Sequence, residues 1–148
     1  MNSYRLHQEQ EDCIGCQSCT VACKSAKKLT SGPLPNQVIT VGPQFVNGLP
    51  RAAYIFLACF HCEDPVCVKV CPSGAMHKRA ADGIVVVDHD LCHGCKACLQ
   101  FCPWGAIQWN PELGKVVKCD LCLDRLQAGL QPLCVTVCTT HCLHFDLE

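Results

Sequence analysis

The chain has 148 residues, the size of one domain or two small ones, and a formal net charge of −1 from twelve basic and thirteen acidic residues. No basic stripe points to nucleic acid, and no acidic tail points to disorder. The longest apolar run, Ala52 to Phe60, covers nine residues and is too short to cross a bilayer as a helix, so no direct membrane insertion is expected. Seventeen cysteines, more than one residue in nine, stand beside only nine aromatics. That density fits a disulfide scaffold, a zinc protein or an iron–sulfur protein. The opening MNSYRLHQEQEDC carries neither the apolar core of a secretory signal nor paired arginines, so a reducing, cytoplasmic setting is expected.

In chain order, SYRLHQ (3–8) reads as a short strand and leads to a first cysteine group, Cys13-x2-Cys16-x2-Cys19-x3-Cys23. Residues 24–58 read as an insertion rich in Pro, Gly and Asn, with one strand at Gln37–Val41. The second group, Cys59-x2-Cys62-x4-Cys67-x3-Cys71-Pro72, is followed by DGIVVVD (82–88), a turn and a β-rich run. The third, Cys92-x2-Cys95-x2-Cys98-x3-Cys102-Pro103, is followed by IQWNPELGKVVK (107–118), two short strands around Pro-Glu-Leu-Gly. The fourth is stretched, Cys119-x2-Cys122-x11-Cys134-x3-Cys138, and LHFDL (143–147) then offers a strand to pair with residues 3–8. Short helices are expected after the third cysteine of each compact group. The fold class is α+β: two ferredoxin-like two-cluster modules with short strands and helices, in one chain.

Two residues between cysteines let a tight turn show successive thiolates to one face. A tetrahedral zinc site takes two separated CxxC pairs and has no use for a third cysteine three residues on. The third group has the bacterial ferredoxin spacing, in which the fourth cysteine serves the neighbouring [4Fe-4S] cluster. Four groups of four use sixteen cysteines. Cys142 remains, at the place where CPSGAM (71–76) and CPWGAI (102–107) have Ala75 and Ala106, so it reads as a packed small residue and not a ligand. Crossed ligation requires the groups to pair. A nested arrangement sets an inner module, 59–102, within an outer module of 1–58 and 103–148; a tandem arrangement competes with it.

With these motifs in hand, the chain resembles the four-cluster electron-transfer (beta) subunits that accompany molybdenum and tungsten enzymes of the dimethyl sulfoxide reductase and formate dehydrogenase type. KCDLCLDRLQAGLQPLCVTVC (118–138) carries the likeness most specifically, with CFHCEDPVCVKVCPSGA (59–75) and CIGCQSCTVACK (13–24) beside it. The resemblance implies the nested pairing and four [4Fe-4S] clusters. Their ligands would be Cys13, Cys16, Cys19 and Cys138; Cys119, Cys122, Cys134 and Cys23; Cys59, Cys62, Cys67 and Cys102; and Cys92, Cys95, Cys98 and Cys71. Thr139 departs from the proline usual after the last ligand. The short C-terminal end is similar to that of the short polyferredoxin subunits of tungsten aldehyde oxidoreductases.

The implied function is that of a non-catalytic subunit conducting electrons to or from a molybdenum- or tungsten-containing catalytic subunit, with a further acceptor subunit or further copies of itself as additional partners. No nucleophilic triad or phosphate loop appears. The alternatives are a free polyferredoxin shuttle, a subunit of a hydrogenase or carbon monoxide dehydrogenase, and a zinc scaffold or cluster-based sensor. His61, His93 and His141 read as donors to cluster sulfides or as solvent-facing. Lys24, Lys69, Lys78, Lys96 and Lys118 read mostly as solvated, Trp104 and Trp109 as packing over a cluster, and Phe56, Phe60, Leu99 and Phe101 as partner interface.

Overall fold

The computed structural model describes residues 4–147; Ser3, counted in the first expected strand, lies outside them, as do the module ends at residues 1–3 and 148. The architecture is α+β, with short helices and four separate two-stranded antiparallel ribbons. Strand β1 (Tyr4–Gln8) pairs with β8 (Leu143–Leu147), Tyr4 opposite Leu147 and Gln8 opposite Leu143, so the two ends of the chain meet as expected. The rings of Tyr4 and Phe145 stack across this ribbon at 5.1 Å.

The insertion differs from its expectation. In place of a lone strand at Gln37–Val41 it forms a long hairpin, β2 (Asn36–Val46) and β3 (Leu49–Ala58). Asn47 and Gly48 turn it, with φ of 53° and 78°, the pairing of left-handed residues that a two-residue hairpin needs. The apolar stretch before Cys59 supplies the missing partner strand. A register shift between Val41 and Gln44, at Gly42-Pro43, divides the hairpin. Its inner half is partly buried, whereas the tip is open, with Phe45 77% exposed.

The two other ribbons lie where the turn signals put them: β4 (Met76–Lys78) with β5 (Val85–Val87), and β6 (Ile107–Asn110) with β7 (Lys115–Lys118). The Asn110 side chain accepts from the N–H groups of Glu112 and Leu113 and so closes the second turn.

The helices are α1 (Ser18–Ala26), α2 (Val66–Lys69), α3 (Ala97–Phe101), α4 (Leu123–Gln127) and α5 (Leu133–Thr136). Four of them contain the third cysteine of a group and do not follow it, because the helix begins one residue earlier. Helix α4 lies inside the stretched fourth group, where no helix was expected. Two kinds of helix start alternate. In the first and third groups a left-handed Gln17 or Lys96 leads into the helix, with φ of 64° and 61°. In the second and fourth, an extended Pro65 or Pro132 does so. PVCVKVC (65–71) and PLCVTVC (132–138) are the matching sequence repeat.

Cysteines are part of the interior. One apolar core gathers Cys19, Cys134, Cys138, Cys142 and Leu143 under Leu6, Val38 and Phe56. A second gathers Met76, Val85, Cys98, Ile107 and Val116, packed by Cys67, Cys71, Cys92, Cys102, Leu99 and Trp109. The β6–β7 ribbon thus shares its core with the second and third cysteine groups. A third core, around Ile84, Cys119 and Leu121, shares Leu6 with the first.

Candidate metal centres

The first CxxC turn of each group places its third residue in the left-handed region: Gly15, His61, Gly94 and Leu121, with φ of 67°, 47°, 75° and 56°. Such turns direct successive backbone N–H groups to one side. At Cys119 this is visible, since the N–H of Leu121 donates to its Sγ at 3.4 Å. The conformation costs a leucine roughly 1 kcal/mol, and Leu121 is 2% exposed, a burial contributing about 2 kcal/mol. Burial wins. At Gly15 and Gly94 space decides instead. A Cβ on Gly15 would lie 2.5 Å from the Tyr54 ring, and one on Gly94 would lie 2.6 Å from the Gly114 carbonyl and 3.2 Å from Trp109.

Fifteen of the sixteen expected cysteines gather in four sets, and Cys62 follows Cys59 in the same turn. Cys13, Cys16, Cys19 and Cys138 line one hollow of about 340 Å³ together with Cys142. Cys71, Cys92, Cys95 and Cys98 line another of about 320 Å³. Cys134 neighbours Cys119, Cys122 and Cys23, and its thiol is pushed up by burial and then by these three. Cys67 neighbours Cys59 and Cys102, and burial followed by Cys59 raises it. Cys62 sits two residues beyond Phe60 in the same turn, its carbonyl taken by Lys78 Nζ at 3.2 Å. The sets lie in a row: Cys23 is close to Cys19, Cys119 to Cys59, and Cys98 to Cys67. Only Cys16 and Cys95 are exposed, and they belong to the two end sets.

Burial raises the thiols of Cys23 and Cys119 to about 12 and that of Cys98 to about 11. At Cys71, against the burial that would raise it, the N–H of Met76 and the Ser73 hydroxyl hold the thiol below its usual value. Buried thiols packed against one another are poor sites for bare thiolates and good ones for a cationic metal core.

Several other residues stand differently from their sequence reading. Lys118 is not solvated. It is 7% exposed, and its ammonium donates to the carbonyls of Val85 and Cys119. It is close enough to lower both Cys67 and Cys119, so it is a fixed cation between the two middle sets. His61 is buried; it accepts the Val85 N–H on Nδ1 at 3.0 Å, and burial and then Lys118 push it down to about 2, leaving it neutral. Its Nε2 is buried with no hydrogen-bond partner. His93 and His141 are exposed, as expected. Trp109 does pack over the third group's turn, with Lys96 Nζ 4.0 Å from its ring centroid. Trp104 does not: it is 56% exposed and meets Phe60, also 56% exposed, at 5.0 Å. Phe101 is exposed too, while Phe56 and Leu99 pack into cores.

The donor set fits iron–sulfur clusters. No aspartate or glutamate lines either end hollow, though His93 lines the second beside its four thiols, and thiol-rich sites select zinc, copper(I) or iron–sulfur. Four thiolates on one zinc lie about 3.8 Å apart, given bonds of about 2.3 Å. Among the described residues no three His, Cys, Asp or Glu side chains converge closely enough to hold a single ion. Wider sets of four thiols and a backbone donor at a cysteine sulfur suit a larger, sulfide-bearing core. None of the seventeen cysteines is in a disulfide.

Comparison with known proteins agrees. Two family models, each described as a 4Fe-4S dicluster domain, match residues 51–148 and 12–75. The chain belongs to this dicluster family. It is 44% identical over 149 residues to the B subunit of the anaerobic dimethyl sulfoxide reductase of Escherichia coli K12, covering 96% of this chain and 72% of that one. It is 42% identical to the thiosulfate reductase electron transfer subunit of Salmonella typhi, covering 97% and 76%. To the B subunit of the polysulfide reductase of Wolinella succinogenes it is 40% identical, covering 96% and 75%. The protein is therefore an iron–sulfur electron-transfer subunit of the dimethyl sulfoxide reductase type, with four [4Fe-4S] clusters as cofactors and no catalytic role of its own. Among the described residues no helix is long and apolar enough to cross a membrane.

Proposed function

We propose that the four cysteine sets are the ligand sets: Cys13, Cys16, Cys19 and Cys138; Cys23, Cys119, Cys122 and Cys134; Cys59, Cys62, Cys67 and Cys102; Cys71, Cys92, Cys95 and Cys98. The chain then works as a conductor with two ends. The observation that carries this is the row itself, each set close enough to the next to shift its thiols, with an exposed cysteine at both end sets alone. A bound cubane supplies one-electron storage at a potential set by burial, charge and hydrogen bonds to its sulfurs. The chain supplies the rest. The cysteines of the second set are buried and those of the third partly so, Lys118 fixes a positive charge between the two middle sets, and the CxxC turns offer N–H donors. Cys16 and Cys95 mark where electrons enter and leave.

The organisation would be two modules of two clusters, an outer one of 1–58 and 103–148 and an inner one of 59–102, with the β6–β7 ribbon of the outer segment lying on the inner core. At one end the partner would be a catalytic subunit holding molybdenum or tungsten; relatives named as subunits of dimethyl sulfoxide, thiosulfate and polysulfide reductases support this. A further acceptor subunit or a second copy of the chain would meet the other end. Seventeen unpaired cysteines favour the cytoplasm. The test is metal analysis of the native complex purified without oxygen. About sixteen irons per chain with molybdenum or tungsten supports the reading. Nickel would point to a hydrogenase or carbon monoxide dehydrogenase partner, iron alone to a free shuttle, and zinc in place of iron would refute the ligand sets.

A further inference from the structure

The first hollow differs from its repeats in what surrounds its sulfurs. After Cys138 the chain runs Thr139-Thr140-His141-Cys142-Leu143. After Cys71 it runs Pro72-Ser73-Gly74-Ala75-Met76, and after Cys102 it runs Pro103-Trp104-Gly105-Ala106-Ile107. The third residue of each segment is left-handed, with φ of 55°, 69° and 61°. The three segments follow the same path, so their residues compare one for one. Thr139 replaces two prolines, and Cys142 replaces two alanines. Neither proline nor alanine carries a side-chain donor.

Both replacements bring a donor to a ligand sulfur. Cys142, 2% exposed like Ala75, has its Sγ 3.5 Å from that of Cys138. Thr139 Oγ1 lies 3.8 Å from Cys16 Sγ, beside Ser18 Oγ at 3.3 Å. A metal-bound Cys138 or Cys16 is a thiolate with no proton, so in each contact the neighbour must donate. Packing alone would be met by alanine, as it is twice elsewhere in the chain.

We propose that the Cys142 S–H, assisted by the Thr139 O–H, donates to the ligand sulfurs of the first set and raises the reduction potential of the cluster they hold. The inference rests on the ligand reading above. Reduction adds negative charge to the thiolates, and a donor on sulfur stabilises the reduced form more than the oxidised one. Cys142 carries the larger share. It is a weaker donor than a hydroxyl, but it is buried, whereas Thr139 and Cys16 sit at the surface where water competes.

The test is a redox titration followed by electron paramagnetic resonance on the full-length, cluster-loaded chain. Cys16→Ser first identifies the signal of the first set. Cys142→Ala, Thr139→Val and the double variant are then titrated, with Cys142→Ser and Thr139→Ser retaining a donor. The expected result is an unchanged iron content and, in the double variant, an about tenfold weaker reduction equilibrium at that cluster alone, or about 59 mV for one electron. Cys142→Ala should account for most of it, and the serine variants should stay near the parent. An unmoved midpoint in Cys142→Ala with iron intact would overturn the inference, and so would an equal drop in Cys142→Ser. Loss of iron from Cys142→Ala would overturn it in favour of a ligand role. If Cys16→Ser changes none of the four signals, the ligand reading itself has failed and takes the inference with it.

Discussion

The two ends of the row are built on one plan and finished differently. At both, a CxxC turn with a left-handed glycine lies under a ring from a β-ribbon: Tyr54 over Gly15 and Trp109 over Gly94. At both, a left-handed residue three places after the donated cysteine turns the chain back, and a hydroxyl two places after it approaches the sulfur: Thr140 at 4.0 Å from Cys138, Ser73 at 3.6 Å from Cys71. The ribbon at the second end is the short local one. At the first it is the long insertion, anchored by Gln8, whose side chain donates to the Tyr54 carbonyl and accepts the Phe56 N–H. Backbone path is thus held constant, while the cover and the side chains on sulfur vary.

The strongest way to break this comparison is to change neighbouring thiols. Cys138→Ser should lower iron from about sixteen toward about twelve per chain, a loss of one cubane, whereas Cys142→Ser should leave it unchanged. Equal losses would mean that the first end does not follow the repeat. Next come the glycines. Gly94→Ala meets a backbone carbonyl and should cost about 3 kcal/mol, and Gly15→Ala meets a ring that can shift and should cost about 2 kcal/mol. Anaerobic melting temperatures of the two variants give the order, and Tyr54→Leu should rescue the second variant only. Truncating the covers is milder. Tyr54→Ala and Trp109→Ala remove rings that are only partly buried and should each cost about 1 kcal/mol, with roughly 0.5 kcal/mol more at Trp109 for the lost contact with Lys96. Both should bleach faster in air. The smallest effect belongs to Lys27→Ala, which removes the half-exposed Lys27–Asp120 ion pair tying the first group to the fourth. It should lower stability by at most about 1 kcal/mol, less so at high salt.

Much of this was written locally. The four cysteine groups, the closure of the ends and the two short ribbons follow from spacing and turn residues. Cys142 was legible as a small buried residue because the chain supplies its own comparison at Ala75 and Ala106. The long hairpin was hidden by composition: Pro, Gly and Asn across residues 24–58 suggested an insertion with a single strand, although Asn47-Gly48 is itself a hairpin signal. The pairing of an odd with an even group was also available, in the likeness of PVCVKVC to PLCVTVC, with each end set joining one compact group to the last cysteine of a proline-entered one. Lys118 could not have been read. Its burial follows from β7 lying beside β5, a contact between segments whose patterns say nothing of each other. The opposite fates of Trp104 and Trp109, five residues apart, likewise depend on which face of one turn meets the core.

The ribbon of β1 and β8 carries a consequence for the order of manufacture. On a growing chain, everything that lines the hollow of Cys71, Cys92, Cys95 and Cys98 has been made once Val116 is out. The hollow at the other end must wait for Cys138 and Leu143, although three of its thiols were among the first to emerge. On the proposed ligand sets, loading has a built-in timetable: the inner sites can be filled while the N-terminal thiols are still waiting, and those early thiols are the ones a chaperone or iron donor must keep from the wrong partners.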